Sequence, residues 1–311
     1  MPAGDAEIRK FYWRSSGINI YDISVSSNLD SLKQWIGRSE MASDWVTPVP
    51  LQSLAAALDR DERVPEPGDP VPPCWHWLYF LPLARQSEIG TDGHPRRGGF
   101  LPPVPLPRRM WAGSRLEWAK PLRVGQAITR TSRIVDVSVK EGRSGPLVFV
   151  KVRHEIGQLA GQCLVEEQDI VYRDAPKPGE ATAVPAPAPM ARDWVREIQP
   201  DPVLLFRYSA LTFNGHRIHY DRRYATEVEG YPGLVVHGPL IATLLLDLLR
   251  RQMPEAQVAR FSFRAMKPTF DLEAFRVCGV RAEEGKSVRL WAEHLDGALA
   301  MDATATLARG P

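Results

Sequence analysis

Apolar positions recur along this chain in two rhythms. In Met110 to Trp118, Ala127 to Val139, Leu147 to Ile156 and Cys163 to Tyr172 they alternate with polar residues, and each run is rich in Val, Ile or aromatics and bounded by Gly or Pro. That is the pattern of antiparallel strands. It returns in Val258 to Met266, Ala274 to Ala282, Ser287 to His294 and Ala298 to Leu307. Ahead of each set of four stands a helical stretch, near Leu51–Leu58 in the first half and from Pro239 to about Arg251 in the second. The second lies in the longest apolar run, Leu234 to Leu249, which is interrupted by His237, Pro239 and Asp247 and is shorter than the ~20 residues a bilayer span needs. It predicts a buried helix.

Between the two sets runs APKPGEATAVPAPAPM, residues 175–190, with prolines at 176, 178, 185, 187 and 189 and no apolar period, the composition of an extended linker. The expected organisation is an N-terminal extension at 1–27, a first domain at 28–174, a linker at 175–191 and a second domain at 192–311. LEWAKPL around Pro121 resembles FRAMKPT around Pro268, each closing one strand before the next begins. With the shared order of elements, this predicts a duplicated α+β unit, each copy an antiparallel sheet wrapped around a helix.

The 311 residues exceed the usual single core, and 44% hydrophobic with 24% charged is the balance of a soluble globular chain. A net charge of +2 gives no broad field for nucleic acid or anionic lipid. Cys74, Cys163 and Cys278 are too separated for a disulfide framework or a cysteine metal site, which points to a reducing, cytoplasmic setting.

Chemistry concentrates in FRYSALTFNGHRIHYD, residues 206–221, and YPGLVVHGPLIATLLLDLL after it, which hold His216, His219 and His237. The strong zinc patterns need cysteine pairs, or a helical histidine pair with a glutamate between, so no metal is expected. Pro239 at the first helical position gives a sharp helix start, and the Gly238 N–H with the positive helix end can hold a carbonyl oxygen that gains charge. In the first half His76 and His94 have no such company, and Trp75, Trp77, Tyr79, Phe80 and Trp111 fit either an acyl pocket or an ordinary core.

This segment resembles the signature of the MaoC-like, R-specific enoyl-CoA hydratases. The pattern Ser, Gly, Asp, any residue, Asn, Pro, an aliphatic, His falls on Thr212 to His219, and His237-Gly238 matches the second element at the central helix. The departure is Asn214, where the family has its catalytic Asp. That exchange is shared with the branch that contains mesaconyl- and itaconyl-CoA hydratases and the mitochondrial 3-hydroxyacyl-thioester dehydratases. The resemblance implies a tandem hot-dog fold with a degenerate first domain and a catalytic second one. It also implies that His219 acts as base, Asn214 positions water and Gly238 stabilises the thioester oxygen, with His237 beside them.

The expected reaction is reversible hydration of a short branched or dicarboxylic 2-enoyl-CoA, with a 3-hydroxyacyl-thioester dehydratase of fatty-acid synthesis or a non-catalytic acyl-CoA binding module as alternatives. A thioesterase would place an acid on the central helix, and Pro239 to Leu246 has none. No cofactor is expected, since the substrate carries coenzyme A. Arg207, Arg217 and Arg222 lie nearest the motif for a free substrate carboxylate, and Arg264 and Lys267 are candidates for the coenzyme A phosphates. Association into a homodimer is left open, because one double hot-dog chain supplies both halves.

Overall fold

The computed structural model describes residues 31–142, 145–175 and 185–308. The expected extension at 1–27 and the centre of the expected linker, 176–184, lie outside the described residues. The first half supplies β1 (Ser39–Trp45), α1 (Pro48–Ala57), β2 (Arg108–Trp118), β3 (Ala127–Gly142), β4 (Gly145–Gln158) and β5 (Gly161–Arg173). From the second half come β6 (Trp194–Ile198), α2 (Pro202–Leu211), α3 (Gly238–Gln252), β7 (Val258–Ala265), β8 (Phe275–Arg281), β9 (Ser287–His294) and β10 (Leu299–Leu307).

All ten strands join one antiparallel sheet in the order β1-β3-β4-β5-β2-β7-β10-β9-β8-β6. Read inward from either edge, each half runs first strand, third, fourth, fifth, second, so the sheet is a tandem duplication joined at β2 and β7. The register at that seam fixes the repeat. Arg115 stands opposite Ser262, and the 147 positions between them are the same offset that separates Pro121 from Pro268. A pseudo-twofold axis therefore passes between Arg115 and Ser262.

In the second half the sheet wraps α3, which is buried from Leu240 through Leu249 with no solvent face. Ten consecutive buried positions include Asp247, whose carboxylate takes bonds of 2.7 Å from each of Arg60, Arg196 and Arg251. Arg60 comes from the first half, so the charge buried at the far end of α3 also ties the halves together.

The helices of the two halves do not correspond as expected. The counterpart of α1 is α2, a helix inside a segment whose sequence reads as polar loop; Asp201 caps it by accepting from the Val203 and Leu204 amides. Among the described residues the first half has no helix matching α3. The strand pattern also misses the two edge strands, β1 because its side chains are mostly exposed and β6 because it is only five residues long.

Candidate active site

Residues 212–237 form a loop folded back against the start of α3. Its turn Arg217–His219 buries His219, and the Val235 amide donates to the Ile218 carbonyl at 2.9 Å, which draws the two ends of the loop together. His219 Nδ1 then lies 2.7 Å from the Val235 carbonyl. A carbonyl only accepts, so Nδ1 carries the proton and Nε2 presents a lone pair. Burial pushes His219 down to about 4, well below an ordinary histidine. The value near 6.5 that an isolated histidine implies does not hold here, and the ring is neutral at pH 7.

His219 stacks on His237 at 3.7 Å between centroids and 20° between planes. His237 precedes Gly238 as the N-cap of α3 and shares a 2.8 Å hydrogen bond with the Ser209 hydroxyl of α2. Burial, then the neighbouring His219, holds it far below the usual histidine range. Gly238 opens the helix, so its N–H has no acceptor within α3. Asn214 accepts from the His216 amide at 3.0 Å through Oδ1, and its NH2 group can donate.

The first half reaches this site through its loop at 88–96. Arg217 donates from its amide to the Asp92 carbonyl at 2.9 Å and from Nη1 to the Thr91 carbonyl at 3.1 Å, and Gly93 packs on the Gly215 carbonyl. The docked loop brings His94 against His216, with centroids 4.1 Å apart, and His216 meets His219 edge-on at 5.4 Å. Four rings thus run His94, His216, His219, His237 across the junction. Asp92 accepts from the His94 amide at 3.0 Å and lies 3.2 Å from His94 Nδ1. Burial works to raise Asp92, but the His94 hydrogen bonds win and hold it below the ordinary carboxylate range. Burial lowers His94 against the pull of Asp92, and it pushes His216 to about 2.

Among the described residues Asp92, His94 and His216 are the group whose donor atoms come within 4.8 Å of one another, the spacing a cation would need. Both oxygens of Asp92 already serve His94. His216 joins them through its ring contact with His94.

Of the residues expected from sequence, His219, His237, Gly238 and Asn214 come together. The arginines do not join them as substrate ligands. Arg207 lies exposed on α2, Arg217 is paired with Asp221 at 2.7 Å, and Arg222 is paired with Asp271. Arg264 is exposed on β7, and Lys267 stands 3.8 Å from Asp296. His76 belongs to the first-half core, where it meets Glu166 at 3.0 Å. Sequence reasoning misses Asp92 and His94 as site residues, because nothing local marks a loop that acts more than a hundred residues away. It misses Arg109 too. Arg109 follows the first residue of β2 and stands two before Trp111, whose carbonyl is 3.9 Å from where a Cβ on Gly238 would stand. It interacts with the Tyr172 hydroxyl, lowers His94 and His216 by its charge, and has no carboxylate partner among the described residues.

The family model for hydroxyacyl-thioester dehydratase type 2 matches residues 74–271, from the aromatic segment through the site and α3 to just beyond β7. The chain belongs to this family. Within it, the chain is 49% identical over 276 residues to the mesaconyl-C(4)-CoA hydratase of Chloroflexus aurantiacus, covering 88% of this chain and 96% of that one. A MaoC-like dehydratase from Phytophthora capsici superposes with a TM-score of 0.63 at 14% identity, over 91% of this chain and 98% of that one. A conserved Mycobacterium tuberculosis protein with a double hot-dog fold gives a TM-score of 0.56 at 14% identity, over 90% and 98%. The family's double hot-dog architecture is therefore the fold seen here, with the first half lacking a central helix among the described residues. No described helix is long and apolar enough to cross a membrane.

Proposed function

We propose that this protein catalyses reversible hydration of a short branched or dicarboxylic 2-enoyl-CoA thioester, of the mesaconyl-CoA or itaconyl-CoA type. The observation that carries the reading is His219, a buried neutral histidine with Nδ1–H committed to a carbonyl and Nε2 left as a base, beside the open N-terminus of α3. The 49% identity to a mesaconyl-C(4)-CoA hydratase supports the substrate class.

In hydration, His219 Nε2 takes a proton from water as the oxygen bonds to Cβ, and the double-bond electrons move onto the thioester oxygen. The Gly238 N–H and the helix dipole stabilise that oxygen, a contribution of about 10²- to 10³-fold for one such donor. Asn214 orients the water by donating to its oxygen, which leaves a water proton directed at His219. Protonation of Cα completes the addition, and the reverse sequence is dehydration. Coenzyme A belongs to the substrate, and the scheme needs no further cofactor.

The 49% identity to a mesaconyl-C(4)-CoA hydratase, against 28% to a mitochondrial hydroxyacyl-thioester dehydratase type 2, favours the short dicarboxylic substrate over the fatty-acid reading. A thioesterase is disfavoured because the acid on α3, Asp247, is buried under three arginines at the far end.

The test is hydration of crotonyl-, mesaconyl- and itaconyl-CoA, followed by loss of enoyl-thioester absorbance, with His219→Ala alongside. Turnover of a dicarboxylic thioester that His219→Ala abolishes is the expected result. Preference for long linear enoyl thioesters would instead assign the chain to fatty-acid synthesis. Binding without turnover would make it an acyl-CoA binding module.

A further inference from the structure

A base backed by a carbonyl alone has difficulty with the charge it acquires. When His219 takes the water proton it becomes an imidazolium in a site that already pushes it down to about 4, and the adjacent His237 is buried as well. An acid at position 214 would balance that charge, but Asn214 cannot. The carboxylate in the histidine cluster is Asp92, carried in by the first half.

We propose that Asp92 and His94 form the carboxylate-backed end of a proton relay that runs from His219 through His216 and replaces the acid missing at position 214. This rests on the hydratase reading and deepens it. The geometry is specific. His94 is fixed by two contacts to Asp92, at 3.0 and 3.2 Å, and lies against His216 at 4.1 Å, and His216 is turned edge-on to His219. The donor atoms of Asp92, His94 and His216 all fall within 4.8 Å, a gap that a direct contact or one bridging water spans. The loop is also locked in place: Gly93, at φ +89°, lies where a Cβ would come within 1.8 Å of the Gly215 oxygen.

The proton count closes without a co-reactant. Water loses one proton to His219 Nε2 as its oxygen bonds to Cβ. His219 passes that proton to His216, which releases its own ring proton to the free nitrogen of His94, whose other nitrogen faces Asp92. The imidazolium is then paired with a carboxylate while the enolate waits. The proton returns by the same path to His219 and from there to Cα, so one water is consumed and the relay resets. In this scheme Asp92, His94 and His216 act through His219 and are positioning and relay residues.

The experiment compares Asp92→Asn, His94→Ala and His219→Ala with wild type, using the full chain and mesaconyl-CoA. The expected result is a kcat lowered by about 10²-fold in both relay variants with KM held within about twofold, against near-complete loss in His219→Ala. Added imidazole is expected to restore part of the kcat of His94→Ala but not of Asp92→Asn. That rescue would not follow from a structural role. Asp92→Asn is isosteric, so it still reports on the relay if His94→Ala unfolds. Wild-type kcat in Asp92→Asn, with His219→Ala inactive, overturns the relay alone, as does a loss confined to KM. Activity removed by a chelator and restored by Zn²⁺ also overturns it, because Asp92, His94 and His216 would then hold a cation. A wild-type protein that hydrates no enoyl-CoA overturns the hydratase reading and the relay with it.

Discussion

Gly93→Ala should disconnect the two halves of the site without touching a catalytic group. Gly93 sits at φ +89°, and an added Cβ would meet the Gly215 oxygen at 1.8 Å, its carbon at 2.8 Å and Arg217 Cγ at 3.3 Å. The left-handed backbone alone costs an Ala about 1–2 kcal/mol. Relieving the clash requires the loop at 88–96 to lift by more than ~1 Å from two backbone atoms that cannot rotate away, and a displacement of that size at a catalytic constellation costs on the order of 10²-fold. Gly37→Ala is the matched control, since Gly37 has φ +88° and an added Cβ there would meet nothing within 4 Å. Steady-state hydration kinetics and thermal melts of the two variants separate strain from clash. Both should lose a few degrees, at about 2–4 °C per kcal/mol for a chain of this size, but only Gly93→Ala should lose kcat. Equal kcat in the two variants would refute the docking of the first-half loop as a catalytic requirement.

Three further outcomes follow from other parts of the structure. Burial lowers His154 and His219 to about 4 and His216 to about 2, while unfolded histidines titrate near 6.5. The unfolded chain therefore takes up protons first, so stability is present above pH 6.5 and is lost as pH falls toward 4. Urea midpoints should drop between pH 7 and 5 while kcat/KM of the folded protein stays flat through 6.5, and an acid limb at 6.5 would contradict the burial of His219. Asp247→Asn leaves Arg60, Arg196 and Arg251 without their shared carboxylate and should destabilise by about 3–5 kcal/mol in urea titration, with an unchanged midpoint counting against the network. Arg109→Gln should reduce kcat/KM for mesaconyl-CoA by about 10- to 100-fold and leave crotonyl-CoA nearly unaffected, as expected for one charge-assisted bond to a free carboxylate. An equal loss on both substrates would place Arg109 outside carboxylate recognition.

The sequence alone determined what short-range pattern encodes. Alternation located eight of the strands, apolar continuity located α3, and the cluster from Asn214 to His219 with His237-Gly238 marked the candidate site, because those residues lie on one loop that the helix start closes. It also carried the duplication, since Pro121 and Pro268 mark equivalent strand ends whose offset reappears at the β2–β7 seam. Tertiary structure alone decided the rest. The tautomer of His219 depends on a carbonyl sixteen residues away, and its acidity on burial that no local window reports. Whether an arginine is free or spent depends on which acid folds against it, as Arg222 with Asp271 shows. Asp92 and His94 enter the site by docking of one half on the other, through contacts separated by more than a hundred residues, and periodicity carries no information at that range.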